Sequence, residues 1–346
     1  MNVLIIGFGT AGRFYFDLFK KNKKIKKIYI IDKLKCPTNK RYTQISLRQI
    51  LDDSLSIEYA FVCSPSHLHY FYADICLKKN ISTLIEKPFV LKLEHAKKLI
   101  KLCNKKKLKC WTALQNRHNK ATSEMRKNIS NKNIGNIVVA DCSMFWHRNK
   151  KYYQNNWRGK YFSDGGVLNN QAIHLLDTLI YNLGPIKHFD VSAGYNKKKL
   201  QAEDLIVINF EHKNGAISSF KATTRADQDY RSSIDVIGTK GRLLVKGISL
   251  NLYSYWKKTK PGSRFVQSQK ASEDFKLGMG PKSGMGNGHQ KILREFLNKK
   301  IKRSSRDLEI SKNIYVLKVI HSIYNKLSNK IKINKIQNKP SILGKK

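Results

Sequence analysis

The sequence predicts an α/β protein in which a doubly wound parallel sheet is followed by an α/β domain with an open, mostly antiparallel sheet. From residue 1 to about residue 118, short apolar runs alternate with amphipathic segments of helical length, which is typical of parallel strands joined by crossover helices. Beyond that point, strand-like runs follow one another with only turn residues between them, which favours antiparallel pairing. We therefore expect an N-terminal domain over residues 1–118 and a C-terminal domain over residues 119–346.

The start of the chain carries the pattern of a dinucleotide-binding unit. An apolar run over residues 2–6 leads into a G-x-G-x-x-G segment, then a helical pattern, then a second apolar run that ends at Asp32. The segment consists of Gly7, Phe8, Gly9, Thr10, Ala11 and Gly12. A strand, a glycine-rich turn, a helix and a second strand closed by an acid about 20 residues on form the fingerprint of the Rossmann fold.

Each residue type in this segment has a physical reason. Gly7 permits the tight turn, Gly9 lets the backbone approach a pyrophosphate, and Gly12 lets the helix pack close to the strand. The N-terminus of the helix offers free N–H groups and a positive dipole to the phosphates. Asp32 can accept hydrogen bonds from both hydroxyl groups of an adenosine ribose, which favours NAD. Lys33 leaves NADP open, because it could neutralise a 2′-phosphate.

Three further strands, expected over 57–64, 82–86 and 109–114, end in polar residues. Ligands of doubly wound sheets bind outside the carboxyl ends of the strands, so these residues would gather at one edge. They are Ser64, Pro65, His69, Glu86, Lys87 and Gln115, and we expect all of them in the cofactor site. For Glu86, simple surface solvation is an alternative to anchoring Lys87 or the cofactor.

The C-terminal part is expected to begin with a helix at 121–129 and a strand at 135–146, and residues 165–183 to form a loop that opens into a long helix. Further strands are expected at 186–195, 204–211, 216–224, 232–238, 242–246 and 249–255. Residues 257–287 are polar and contain several glycines, which indicates an exposed loop, and helices are expected at 288–298 and 311–328. The last twenty residues are rich in lysine and are expected to fray.

Composition favours an ordinary globular enzyme. Hydrophobic residues make up 41% of the chain, and no apolar run reaches the roughly 18 residues that span a bilayer. No secretory signal pattern is present, so we expect a cytoplasmic protein without a membrane partner. The net charge is +43, but the lysines are scattered and no nucleic-acid-binding motif appears, so we expect no specific nucleic acid partner. The charge could still raise the association rate of an anionic substrate.

The six cysteines form no C-x-x-C pair, and in a chain of this kind we expect them to be reduced. A catalytic cysteine is disfavoured, because none has an evident activating base nearby in sequence. The histidines show no metal-ligand spacing, so no metal is assigned.

The segments GFGTAGR, CSPSHLH, EKP and GGVLNNQAIHLLD occur in that order between residues 7 and 177. In this the chain resembles the family of glucose–fructose oxidoreductase, inositol 2-dehydrogenase and rhizopine-catabolism proteins, from Met1 to about Ile333. The resemblance implies a Rossmann domain, a C-terminal domain with an open sheet, and NAD(P) chemistry on a polyol, sugar or nucleotide sugar. It also implies that Lys87 and His174 are the catalytic lysine and histidine, and that Pro65 and His69 belong to the loop under the cofactor.

One position departs from the family. Members commonly have Asp four residues before the histidine, whereas this chain has Asn170. Asn170 and Gln171, together with a Trp157-Arg158-Gly159 segment, an Asp-Gly-Gly segment at 164–166 and Gln115-Asn116-Arg117, resemble a bacterial subgroup. That subgroup oxidises C3 of UDP-N-acetylglucosaminuronic acid or related nucleotide sugars for surface polysaccharides. The resemblance implies substrate contacts from Arg117, Trp157, Arg158, Asn170, Gln171 and His174.

These residue types suit the oxidation of a secondary alcohol. The solution pKa of histidine, near 6.5, suits His174 to general-base work. A charged Lys87 can stabilise the developing alkoxide. Asn170 would lie on the same helical face as His174, but its amide cannot act as a base.

Several alternatives stay open. His174 could be a core histidine and Lys87 a surface lysine, Trp157 and Arg158 could form a structural stack, and His289 is better explained by helix capping than by substrate contact. The enzyme could instead act on free inositol or a hexose, or run as a reductase. A Rossmann-fold binding or sensor protein is the non-enzyme alternative, although it would not need Lys87 and His174. We expect a homodimer or homotetramer formed through the C-terminal sheet.

Overall fold

A computed structural model describes residues 1–154, 157–195, 200–257, 266–271, 288–298 and 307–328. In these residues the N-terminal sheet has six parallel strands in the order β3-β2-β1-β4-β5-β6. The strands are β1 (Asn2–Ile6), β2 (Lys27–Ile31), β3 (Tyr42–Gln44), β4 (Tyr59–Val62), β5 (Ser82–Ile85) and β6 (Cys110–Thr112). The strand order reverses beside β1, so the carboxyl ends of β1 and β4 flank the crevice in which such sheets bind ligands.

The helices of this domain cover both faces of the sheet. They are α1 (Thr10–Lys21), α2 (Leu47–Leu51), α3 (His69–Lys78) and α4 (Leu93–Lys106), with short 3₁₀ turns at Ser66–Leu68 and Gln115–His118. Helix α1 buries Tyr15, Phe16 and Phe19 along one side, which is the spacing of an amphipathic helix. The sequence reading did not include β3 and α2, because each is too short to show a period.

The C-terminal sheet contains eight strands in the described residues, in the order β14-β13-β12-β11-β7-β10-β9-β8. Adjacent strands are antiparallel except β7 and β10, which are parallel. The strands are β7 (Ile137–Phe145), β8 (Ile186–Gly194), β9 (Leu205–His212), β10 (Ile217–Thr223), β11 (Arg231–Gly238), β12 (Gly241–Lys246), β13 (Leu252–Lys257) and β14 (Val266–Ala271). The fold class predicted from the sequence, a parallel doubly wound sheet followed by a mostly antiparallel one, is confirmed.

Strand β14 corrects the expectation of a continuous loop over 257–287. Its sequence, VQSQKA, lacks apolar alternation, and it pairs with β13 through the backbone. The rest of that expected loop and the lysine-rich last residues lie outside the described part of the chain.

The described residues beyond residue 118 form six helices. They are α5 (Lys120–Ser130), α6 (Lys150–Tyr153), α7 (Val167–Asn170), α8 (Ile173–Leu183), α9 (Gly288–Phe296) and α10 (Ile310–Ser328). Helices α5, α7, α8 and α10 pack on one face of the C-terminal sheet. Side chains from α8 and α10, among them Leu176 and Ile320, share a core with Phe220 and its neighbours on the sheet.

The last two helices also pack on the first domain. Ile292 and Phe296 of α9 lie in the same apolar core as Val3 and Phe61, and Trp111 forms a bridge with Glu309 just before α10. Helix α10 shares apolar cores with both sheets, and the division of the chain into domains at residue 118 remains a prediction. No helix in the described ranges combines the length and apolar character that crossing a bilayer requires.

Candidate active site

The glycines of the first turn fit the roles expected of them. Gly7 has a φ of +94°, and a Cβ atom there would lie 2.6 Å from the backbone nitrogen of Ser64. A Cβ atom on Gly12 would lie 2.0 Å from the Gly7 oxygen, so the helix can approach the turn only without a side chain. A Cβ atom on Gly9 would meet no atom within 4 Å. The N-terminus of α1 therefore faces open space, as the cradle of a pyrophosphate requires.

Asp32 is tied to this turn. Its Oδ2 atom accepts a hydrogen bond from the Phe8 N–H group at 2.6 Å, and its Oδ1 atom accepts one from the Leu34 N–H group at 2.8 Å. Thr10 and Ala11 begin α1, and the Phe8 ring packs edge-on against Phe16. The acid at the end of β2 thus holds the glycine turn at the end of β1. The residues present fit a dinucleotide.

His69 joins two loops at the same edge. Its Nδ1 atom lies 2.7 Å from the carbonyl oxygen of Pro88, and its Nε2 atom lies 2.8 Å from that of Ser64. Burial lowers the pKa of His69, while the two carbonyl groups favour the charged ring. His69 therefore fixes the segment that contains Ser64 and Pro65 against the segment that follows β5.

The Glu86 side chain is only 13% exposed and contacts several polar side chains. Its Oε1 atom accepts a hydrogen bond from the Tyr15 hydroxyl at 3.2 Å and lies 3.7 Å from Nε2 of His289. Burial alone would raise the pKa of Glu86, but His289, Lys87 and His69 outweigh it and lower the pKa. This burial excludes simple surface solvation of Glu86. The helix-capping role favoured for His289 is also corrected, because its ring is 3% exposed and pairs with Glu86.

Lys87 follows Glu86 at the carboxyl end of β5 and reaches the other domain. Its Nζ atom donates to the main-chain oxygen of Asn170 at 2.6 Å and lies 3.4 Å from the Asn170 Oδ1 atom. Burial lowers the pKa of Lys87, while the carboxylates of Glu86 and Asp164 oppose that effect. Lys87 is therefore a partly buried cation with acidic neighbours, and it is not a freely solvated surface lysine.

His174 lies on the first turn of α8, close enough to Lys87 to feel its charge. Burial and the positive charge of Lys87 hold the pKa of His174 well below its usual range, so the imidazole is neutral at working pH. Its Nε2 atom lies 3.5 Å from the Gln115 amide nitrogen. Within the described residues, its buried Nδ1 atom and the buried Oε1 atom of Gln115 have no hydrogen-bond partner. Unpartnered buried polar atoms of this kind call for an explanation, and a bound ligand would supply one.

Asp164 is the functional residue that sequence reasoning did not single out. Its side chain is 2% exposed, and its Oδ2 atom accepts a hydrogen bond from the Asn170 amide nitrogen at 2.5 Å. Burial raises the pKa of Asp164 to about 6, while Lys87 and Asn170 lower it. The only available signal was its place in the Asp-Gly-Gly segment, which does not indicate that the carboxylate turns toward Lys87.

Arg158 stacks on aromatic rings next to Asn170. Its guanidinium carbon lies 3.9 Å from the ring centre of Tyr152 and 5.0 Å from that of Trp157. The Tyr152 hydroxyl accepts hydrogen bonds from the side-chain amides of Asn170, at 3.3 Å, and Gln171, at 3.1 Å. The stack is therefore hydrogen-bonded to the predicted substrate residues Asn170 and Gln171. Like Asp164, Tyr152 is a residue of the candidate site that was not singled out from the sequence.

Two sequence expectations change. Arg117 donates from Nε to Asp177 at 2.8 Å and from a terminal nitrogen to the Asp307 carbonyl at 2.7 Å. Its side chain is 8% exposed, so it forms a structural ion pair and we do not retain it as a substrate contact. Asn170 and His174 lie on two helices, α7 and α8, rather than on one, and a turn at residues 171–172 separates the two helices.

A cavity of about 650 Å³ lies beside the stack. Its lining includes His147, Arg148, Lys150 and Arg225, and also Asp204, which pairs with Arg225. Arg148 also stacks on Tyr152, with 5.6 Å from its guanidinium carbon to the ring centre. The described residues contain no cluster of three or more His, Cys, Asp or Glu arranged to hold a metal ion.

Comparison with known structures shows the same fold. The WlbA dehydrogenase from Chromobacterium violaceum, solved with NADH and UDP-GlcNAcA, has a TM-score of 0.79 at 20% identity, over 95% of this chain and 94% of that one. Levoglucosan dehydrogenase, solved with NADH and L-sorbose, has a TM-score of 0.77 at 16% identity, over 95% of this chain and 97% of that one.

Among curated proteins, the uncharacterized oxidoreductase YhhX of Escherichia coli (strain K12) is 24% identical over 206 residues, which is 57% of this chain and 58% of that protein. The chain spans about half the length of the curated relatives it matches.

Two models of one family match successive parts of the chain. The model for the oxidoreductase family with an NAD-binding Rossmann fold matches residues 1–114, and the model for the GFO/IDH/MocA C-terminal domain matches residues 122–244. The resemblance noted in the sequence is thereby confirmed, and the chain belongs to the GFO/IDH/MocA oxidoreductase family, with an NAD-binding Rossmann domain followed by the C-terminal domain of that family.

Proposed function

We propose that this protein is an NAD-dependent dehydrogenase that oxidises a secondary hydroxyl group of a nucleotide sugar, such as C3 of UDP-N-acetylglucosaminuronic acid, in surface polysaccharide biosynthesis. The observation that carries the proposal is the meeting of Lys87, from the end of β5, with Asn170 and His174, from the other domain. A neutral base and a partly buried cation at the carboxyl edge of a Rossmann sheet are what alcohol oxidation requires.

The residues divide the work as follows. NAD, when bound, supplies the acceptor for the hydride that leaves the alcohol carbon. His174 is neutral, since the pKa of its ring lies well below the usual range, and its free ring nitrogen is therefore available to accept the hydroxyl proton. The Lys87 ammonium stabilises the negative charge that develops on the substrate oxygen. Asn170 and Gln171, which are anchored on the Tyr152 hydroxyl, orient the sugar.

Charge supports an acidic substrate. Among the described residues no carboxylate forms an ion pair with Arg158, and its buried Nε atom has no hydrogen-bond partner. A guanidinium of this kind suits a carboxylate or a diphosphate, which it can bind through two parallel hydrogen bonds. The basic cavity beside the stack could take the remote, phosphate-bearing part of the same substrate. The similarity to a dehydrogenase solved with UDP-GlcNAcA favours the same class.

A second candidate is a dehydrogenase of a free sugar or polyol. The similar fold of levoglucosan dehydrogenase, solved with L-sorbose, favours this alternative. The two candidates differ in how the sugar is positioned. A nucleotide provides remote contacts that hold the reacting carbon within hydride distance, and a free monosaccharide lacks them.

The experiment compares kcat/KM with NAD for UDP-N-acetylglucosaminuronic acid, UDP-N-acetylglucosamine, free glucose and free inositol. Because a keto sugar is uphill from NAD, the assay includes a coupled reaction that removes NADH. We expect the acidic nucleotide sugar to be preferred, and we expect Arg158→Gln to raise its KM more than that of the uncharged nucleotide sugar. Higher kcat/KM with a free sugar would favour the second candidate. Native mass spectrometry of the purified protein identifies any cofactor or sugar that co-purifies.

The open face of the C-terminal sheet supports a homo-oligomer. Val139 of β7 is paired with Ile217 of β10 on one side and Ile237 of β11 on the other. These three side chains are exposed and form an apolar stripe across three neighbouring strands. An apolar stripe on the uncovered side of a sheet is a natural contact for a second copy of the chain.

A further inference from the structure

The polar groups around Lys87 form a chain that begins at Asp164. The Asp164 carboxylate is buried and accepts a hydrogen bond from the Asn170 amide nitrogen. The oxygen of that amide faces Lys87, whose Nζ atom also donates to the Asn170 main-chain oxygen. The three residues come from three segments, namely the loop before α7, the end of α7 and the end of β5.

The carboxylate decides which way the amide points. If the Asn170 side chain were turned over, its NH₂ group would face the Lys87 ammonium and its oxygen would face the Asp164 carboxylate. Both contacts would then be repulsive, because ammonium groups only donate and carboxylates only accept hydrogen bonds. Asp164 therefore keeps the amide oxygen directed at Lys87.

The carboxylate also balances charge. Lys87 lies near the cations Arg158 and Arg148, which together with burial favour its neutral form. Glu86 and Asp164 are the acidic groups that oppose them. The charged and polar groups that face Asp164 itself are Lys87, Arg158, the Asn170 amide and the backbone of Gly159. Neutralising Asp164 would leave Glu86 as the main acidic partner of Lys87.

We propose that Asp164 is a positioning residue that acts through the Asn170 amide to orient Lys87 and keep it charged, so that the loss of its negative charge lowers turnover. This inference rests on the proposed function, since it assigns Lys87 a catalytic role.

The first test is Asp164→Asn, which keeps an oxygen that can accept from Asn170 and removes the charge. We expect kcat to fall about tenfold or more with little change in NADH affinity. In the wild type, the rate should rise with pH as Asp164 ionises, near pH 6. The variant should lose that rise, and its decline at high pH should begin at lower pH because Lys87 loses its proton more easily.

The second test restores a negative charge near Lys87. In Asp164→Asn combined with Asn170→Asp, the new carboxylate stands where the Asn170 Oδ1 atom lies 3.4 Å from Lys87. We expect this double variant to recover most of the lost kcat and the rise near neutral pH. Asp190→Asn, at an exposed residue that pairs with Lys326, is the matched control and should behave as the wild type.

A readout without substrate separates this inference from the proposed function. Peptide-resolved labelling of Lys87 with an amine reagent, over a range of pH, reports its pKa in the free protein. We expect Asp164→Asn to lower that pKa and the double variant to restore it, whatever sugar the enzyme takes. An unchanged Lys87 pKa and an unchanged pH profile in Asp164→Asn, or no recovery in a folded double variant, would overturn the inference.

Discussion

The Nζ atom of Lys87 lies 2.6 Å from the main-chain oxygen of Asn170, and this hydrogen bond crosses from the Rossmann domain to the C-terminal domain. Lys87 sits at the end of a short parallel strand, whereas Asn170 ends a helix that packs on the antiparallel sheet. A main-chain acceptor cannot be replaced by mutation, so the position of the lysine depends on how the domains pack. The candidate site is therefore a property of both domains together.

The first prediction concerns the catalytic pair. We expect His174→Ala and Lys87→Ala each to lower kcat about a hundredfold or more, because one removes the proton acceptor and the other the charge beside the alkoxide. NADH affinity should be largely kept in His174→Ala, and fluorescence titration separates binding from chemistry. His188→Ala, at an exposed position on β8, is the control. Near-normal turnover of the His174 variant would mean that another group is the base.

The second prediction concerns cofactor choice. Asp32 places a carboxylate at the end of β2, where the 2′-phosphate of NADP would meet a like charge. We expect kcat/KM to favour NAD over NADP at least tenfold, and Asp32→Ala to reduce that preference. Because Asp32 also accepts the Phe8 N–H group, the variant should bind NAD more weakly than the wild type. A preference for NADP in the unaltered protein would contradict the assignment.

The third prediction separates two glycines. Gly9→Ala adds a methyl group that meets no atom within 4 Å, so the fold should keep its stability within about 0.5 kcal/mol while NADH affinity falls. Gly12→Ala places a Cβ atom 2.0 Å from a backbone oxygen, which should cost about 2 kcal/mol or more despite the better helix propensity of alanine. Urea unfolding and NADH titration measure the two effects. Equal stability losses in both variants would refute this reading.

The parts of the fold that follow a strong local pattern could be predicted from the sequence. Helices α5 and α10 were expected at residues 121–129 and 311–328 and lie at Lys120–Ser130 and Ile310–Ser328, because their apolar side chains recur at helical spacing. The short strand β3 and helix α2 could not be predicted, since three to five residues show no period. Strand β14 was not expected, because its sequence, VQSQKA, shows no apolar alternation.

In the candidate site, too, residues within local motifs could be predicted, whereas contacts between distant residues could not. Lys87 and His174 could be proposed from the sequence because they lie in motifs at the ends of a strand and a helix, and their catalytic roles stay a prediction. The sequence shows Asp164 only as part of an Asp-Gly-Gly segment. Its contact with Asn170 could not be predicted, because that contact depends on the course of the loop that joins the two residues. Arg117 was misassigned because the residue that neutralises it, Asp177, lies 60 positions away in sequence. Long-range pairing of this kind leaves no local pattern.

The fourth prediction concerns assembly through the C-terminal sheet. Ile217 is 57% exposed and lies next to Val139 on the neighbouring strand. If this stripe joins two copies, Ile217→Lys should weaken the oligomer, because a charge would have to be buried in an apolar contact. Light scattering over a concentration series measures the change, with Leu34→Lys, at an exposed apolar residue of the N-terminal domain, as control. A monomeric wild type would rule out the proposed assembly.

The last prediction concerns Glu203, which is 1% exposed behind the loop of Asp164. Its Oε1 atom accepts from the Leu168 N–H group and the Tyr324 hydroxyl, each at 3.0 Å, and burial raises its pKa to about 7. Between the ordinary value of 4.5 and about 7, the folded state holds this proton more tightly than the unfolded chain. Stability is therefore highest below pH 4.5, as far as this group is concerned, and falls as pH rises to about 7.

A rise of this size corresponds to an upper limit of about 3 kcal/mol in the free energy of unfolding. Glu203→Gln keeps the acceptor oxygen and removes the titration, so we expect the variant to gain stability relative to the wild type as pH is raised from 5 to 8. Urea unfolding at several pH values measures that difference, and Glu211→Gln, at an exposed residue paired with Lys187, is the control. Parallel stability curves for Glu203→Gln and the wild type would show that the buried carboxyl does not change its ionisation on unfolding. Curves that diverge as pH rises would show that folding raises the pKa of the Glu203 carboxyl.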